Sequence, residues 1–149
     1  MDLKSLLVDS KTAWVEFPGL DGFSVELANL SRKELINLRK KCTINKFDRK
    51  TRIFNEELDE SKFLTEFSGA VIKGWKGLKL GYLEDLILVD LKGQNRETEM
   101  EYSPENAVVL VENSSEFDNW LNEVVFDLEN FRSPEQRENS KPAKVISGQ

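Results

Sequence analysis

Two short runs near the start of the chain, residues 12–17 and 23–27, carry apolar side chains in the alternating pattern of half-buried strands: Trp14 and Phe17 in the first, Phe23, Val25 and Leu27 in the second. Pro18-Gly19-Leu20-Asp21-Gly22 lies between them and supplies turn residues, so the pair reads as a β-hairpin. The period then changes. Ser31 with Glu34 has the spacing of a capping box, and Leu35, Leu38 and Cys42 recur at helical intervals, which predicts a helix over 32–42. Cys42 on that stripe is expected to be a small buried apolar residue rather than a nucleophile. Residues 43–57 alternate weakly around Ile44, Phe47, Ile53 and Phe54, the pattern of a second and more polar hairpin.

From 59 to 73, Phe63, Phe67, Ala70 and Val71 share one helical stripe that Leu64 and Ile72 widen, as in a core helix. Gly74-Trp75-Lys76-Gly77 is expected to close it through a left-handed glycine, with a short helix or extended stretch over 78–88. Residues 90–101 read as a loop or weak strand. Ser103-Pro104-Glu105 combines an N-cap, a first-turn proline and an acid at the positive end of the helix dipole, predicting a helix over 104–112. Ser115 is expected to cap the last helix, whose Phe117, Trp120, Leu121, Val124, Val125, Leu128 and Phe131 follow the i, i+3, i+4, i+7 pattern closely. After Phe131 the apolar period ends and two of the four prolines appear.

These elements amount to a helix-dominated α+β single domain over 12–131. The N-terminal hairpin packs on helices starting near 32, 59 and 116, with a flexible arm at 1–11 and a disordered polar tail at 132–149. A length of 149 residues suits one domain with a sizeable core. No apolar run approaches the roughly 20 residues needed to span a bilayer, and the first residues are too polar for a secretory signal, so a cytosolic protein is expected. One cysteine permits no internal disulfide.

Composition changes the functional picture most through an absence. With no histidine, neither a Ser-His-Asp or Cys-His nucleophile system nor a histidine-containing zinc site can be built. Gly74-Trp75-Lys76-Gly77 has the glycine spacing of a loop that clamps RNA backbone, but the strand order that should flank it is not evident. The phosphate-binding P-loop pattern is missing, and the adjacent carboxylates of Glu84-Asp85 would not face the same way on a helix. The chain is therefore read as a non-enzyme with no cofactor and no metal, one that acts by binding other proteins.

Charge indicates where binding could occur. Residues 32–52 hold nine Lys or Arg and two acids, whereas 97–131 hold ten acids and no Lys or Arg, within a chain of net charge −6. Both segments can be ordinary solvated faces, even touching each other. Alternatively they favour head-to-tail self-association. The basic residues, interleaved with Phe47 and Phe54, could also track a nucleic acid, although the overall acidity weighs against that. Trp75, flanked by Lys73 and Lys76, is either an exposed anchor for a partner helix or a plug in the core; with Arg39, Lys40 and Lys41 these six residues form the candidate partner-binding set.

Three blocks of sequence, FSVELANLSRKEL, VIKGWKGL, and YSPENAVVL leading through EFDNWLNEVVFDLENF to a polar end, resemble the tail assembly chaperones of long-tailed bacteriophages. They span roughly residues 14–131. The resemblance implies a protein that coats the tail tape-measure protein, prevents its aggregation, recruits tail tube subunits in the host cytoplasm and is absent from the finished virion. It also implies that a frameshifted extension could follow Phe131. Two other classes fit the same features: a neck or tail completion component retained in the particle, and an acidic DNA mimic that blocks a host nucleic-acid enzyme.

Overall fold

A computed structural model describes residues 1–8 and 11–138. Strands β1 (Thr12–Glu16) and β2 (Ser24–Ala28) form the expected hairpin, in register from Thr12 opposite Ala28 to Glu16 opposite Ser24. Its turn is held by the Phe17 amide donating to the Phe23 carbonyl at 2.9 Å, with Gly19 and Gly22 both at positive φ. Helix α1 (Arg32–Lys41) starts at Ser31, whose hydroxyl accepts the Glu34 amide at 3.1 Å. Only half of the expected box forms: the Glu34 carboxylate accepts from the Ser31 hydroxyl at 3.0 Å rather than from its backbone. Cys42 ends the helix fully buried. Strands β3 (Thr43–Asp48) and β4 (Ile53–Leu58) make the second hairpin.

Helix α2 (Glu60–Val71) passes straight into strand β5 (Ile72–Lys76), and this is the main departure from the sequence reading. The segment expected to close a helix instead completes a three-stranded antiparallel sheet of order β1-β2-β5. Val71, Ile72 and Trp75 are β-branched or aromatic, and in the strand Ile72 and Trp75 bury beside β2, a gain that outweighs continuing a helix through Gly74. Lys73 is the extra residue of a bulge, since Leu27 faces Ile72 while Glu26 faces Gly74. Gly77 does adopt positive φ, but it ends a strand and not a helix.

Helix α3 (Leu80–Leu86), helix α4 (Pro104–Asn113) and helix α5 (Ser115–Val125) follow. Ser103 caps α4 as anticipated, accepting the Asn106 amide at 3.0 Å. The cap of α5 is Ser114 and not Ser115. Its buried hydroxyl accepts the Phe117 amide at 3.1 Å, and Ser115 is the first helical residue. Because α4 ends at Asn113, Ser114 serves as its C-cap as well. Helix α5 stops at Val125, short of the end of its apolar stripe. A 3-10 turn at Leu128–Phe131, capped by Asp127, buries Phe131 and leaves Leu128 exposed.

The core lies between the sheet and α2, α4 and α5. Phe23, Val25, Leu27, Ile72, Phe117 and Leu121 are buried there, and Phe17, Phe23, Phe117 and Trp120 form an aromatic cluster with centroids 5.0–6.3 Å apart. At the N-terminus, Leu3–Leu6 form an exposed 3-10 turn. Of the expected polar tail, residues 134–138 take a helical turn, with Arg137 donating to the carbonyls of Glu129 and Asn130, while 139–149 lie outside the described residues. Among the described residues no helix is long and apolar enough to cross a membrane.

Candidate functional site

An apolar groove of about 190 Å³ is lined from separate parts of the chain: β5 and Leu78 after it, α3 with the residues that follow, the loop at Met100, and α4. Its construction begins at residues 96–100, which fold back along 78–81. The Met100 amide donates to the Leu78 carbonyl at 2.7 Å, the Leu80 amide to Thr98 at 2.7 Å and the Gly81 amide to Arg96 at 2.9 Å. Met100 is thereby placed over Trp75, whose indole N–H donates to the Met100 carbonyl at 2.8 Å. Trp75 is only 8% exposed, and its ring meets Tyr102 edge-on at 5.2 Å. It is thus built into the core at the groove rather than projecting as an anchor.

Around this floor, Leu78, Leu83, Ile87 and Leu110 supply aliphatic walls, and Asn106 is the one lining side chain that carries a polar amide. The rim stays open to solvent. Val109 and Val89 are exposed, at 48% and 38%, and Leu88, just outside, is fully exposed. Clustered exposed aliphatics beside an apolar concavity are the usual mark of a surface that binds something.

The rim is also acidic. Glu99 and Glu101 flank Met100, and Glu105 and Glu112 lie four residues before and three after Val109, on the same face of α4; all four are exposed. Tyr102 registers this environment: burial raises the pKa of its phenol, and the Glu105 charge raises it further. Glu97 is held below the usual carboxylate range by a hydrogen bond from Lys79, at 2.8 Å, and by the ammonium charge.

The other basic candidates lie elsewhere. Lys76 stands 4.6 Å above the Trp14 ring on the sheet, and Lys73 donates to the Gly69 carbonyl at the end of α2. Arg39, Lys40 and Lys41 occupy the last turn of α1, where cations complement the helix dipole. The Arg39 guanidinium lies 5.5 Å over Phe63, and Lys41 pairs with Glu66 at 3.2 Å. The six candidate residues thus divide between β5 and α1 and do not form one patch.

The β3–β4 hairpin is the second unusual surface. Ten of its twelve strand residues are exposed and the other two partly so. Phe47 and Phe54 face each other with centroids 5.1 Å apart at 51% and 69% exposure, and Ile44 and Ile53 are exposed on the opposite face. Lys46 pairs with Glu57 within the hairpin. Among the described residues, no ion pair joins the basic 32–52 segment to the acidic 97–131 segment. The groove and the bareness of this arm were missed at the sequence level. Exposed Phe47 and Phe54 in a polar hairpin were the available signal for the arm; no local pattern marks the groove.

No curated protein and no solved structure matches the chain. The family model of the YdaY prophage protein matches residues 29–141, which include α1, the β3–β4 arm and every residue that lines the groove, and leave out β1 and β2. That span is well over half of the molecule, and the chain belongs to the YdaY prophage protein family.

Proposed function

We propose that this prophage protein is a tail assembly chaperone. It binds apolar helical segments of the tail tape-measure protein in the host cytoplasm, keeps them from aggregating, recruits tail tube subunits, and does so without catalysis or cofactor. The observation that carries this reading is the Trp75 groove with its exposed aliphatic rim. An amphipathic helix laid along such a groove inserts side chains spaced three or four residues apart, and the available volume suits one or two of them. Each apolar side chain taken out of water contributes about 1.5–3 kcal/mol. One or two such contacts give weak binding that later tube polymerisation can displace.

The acidic rim fits the same role. It keeps the groove soluble while empty and favours clients whose apolar stripe is bordered by Lys or Arg. The resemblance of three ordered sequence blocks to tail assembly chaperones supports the identification of the client.

Co-expression with the tape-measure protein of the same prophage tests the reading. The tape-measure chain should be soluble and co-purify when this protein is present and form inclusion bodies when it is not. A tape-measure protein equally soluble alone, or this protein found stoichiometrically in purified virions, would refute it.

A further inference from the structure

We propose that the β3–β4 arm of one copy docks into the Trp75 groove of a second copy, with Phe47 and Phe54 on the apolar floor and Lys46, Arg49, Lys50 and Arg52 against the acidic rim. The inference does not rest on the chaperone reading; arm and client helix would compete for the one groove.

Among the described residues, each half of the contact lacks a partner within its own chain. A two-stranded hairpin with no third strand or covering layer is marginal in water, and this one exposes an aromatic pair on one face and two isoleucines on the other. The groove offers the complementary shape. Its lining is almost wholly apolar and it is open to solvent at the Val109 rim.

Charge decides the occupant. The tip, residues 46–52, carries four cations and one acid, Lys46 being paired with Glu57; residues 97–112, four of which line the groove, carry five acids and no cation, and apart from Glu97, which Lys79 holds, none of those acids is in an ion pair among the described residues. The two segments form no ion pair with each other inside one molecule, so their attraction is available between molecules. Single-stranded nucleic acid would also suit the cations and phenylalanines. It would be repelled by a chain of net charge −6, and it would leave the acidic groove empty. Because arm and groove are different surfaces, the contact is head-to-tail and propagates from copy to copy.

Sedimentation velocity at low and high salt, with two variants, tests the proposal. The wild-type protein should show an average mass that rises with concentration at low salt and returns to the monomer at high salt. Phe47→Ser with Phe54→Ser removes the knob, and Val109→Asp, at a half-exposed rim position, blocks the hole. Each variant alone should stay monomeric with an unchanged near-ultraviolet spectrum. Mixed in equal amounts they should form a complex of two chains, because one still has an intact groove and the other an intact arm. Val89→Asp serves as the groove variant if Val109→Asp disturbs the fold. A wild-type protein that stays monomeric at every concentration, or a mixture that does not associate, would overturn the proposal. So would a single-stranded oligonucleotide bound by wild type and not by the arm variant in the absence of self-association, which assigns the arm to nucleic acid.

Discussion

The β1–β2 hairpin and the β3–β4 arm have strands of nearly equal length in regular antiparallel register, yet Val25 in the first is fully buried while Phe54 in the second is 69% exposed. What separates them is the third layer. Strand β5 adds to β2, and Phe117, Leu121 and Val125 of α5 join its residues in one core, whereas neither strand of the arm has another neighbour in its sheet. In a domain of this size, typical stability is about 5–15 kcal/mol, so placing apolar residues where they bury nothing forgoes a meaningful fraction of it. Residues that do not support the fold are free to support contacts, and the groove rim at Val109 belongs with the arm in this respect.

Substitutions of like residues in the two regions should therefore differ sharply in effect. The largest is Phe117→Ala, which empties a fully buried site among Phe17, Phe23 and Trp120; it should cost about 3–5 kcal/mol in urea unfolding, whereas Phe54→Ala should cost under about 1 kcal/mol. Equal losses would erase the distinction. Gly77→Ala comes next. Gly77 sits at φ +74° with the Gly22 carbonyl where a Cβ would go, so the change forces the end of β5 away from the first hairpin and should lower stability by about 2–3 kcal/mol. Ser114→Ala removes the cap of α5 at a buried position and should lower stability by about 1 kcal/mol, while Ser115→Ala should be close to neutral. Phe47→Ser with Phe54→Ser removes only the exposed cross-strand pair of the arm and should likewise cost no more than about 1 kcal/mol in urea unfolding.

Hydrogen exchange sharpens the same contrast without mutation. Amides of β2 and α5 should exchange only through global unfolding, and those of β3 and β4 through local opening at much lower free energy. Protection of the arm equal to that of β2 in the monomer would mean that it is held by more than its own ladder.

Much of this was legible from the chain because the signals are local. Ser31, Ser103 and the i, i+3, i+4 stripes place α1, α4 and α5, Cys42 lies buried where its stripe put it, and alternation in 12–27 and 43–57 marks both hairpins. The errors came where distant segments decide. Val71-Ile72-Lys73 continues a helical pattern, and only the edge of β2 draws Ile72 onward into a strand. Ser114 and Ser115 are equally good caps on paper; the end of α4 selects the first. Charge segregation could be counted, but that the basic hairpin would stand bare could not. The groove is assembled from residues as far apart as Trp75 and Leu110, and what positions Met100 over Trp75 is a set of backbone hydrogen bonds that carry no sequence signature.

If the client binds in a groove whose rim the fold does not need, light scattering of the tape-measure protein, diluted from denaturant into wild-type chain or into Val109→Asp, separates the two proteins. The wild type should suppress the rise in scattering, and Val109→Asp should fail to do so while keeping the wild-type thermal midpoint. Equal suppression by both proteins would rule out the groove as the binding site.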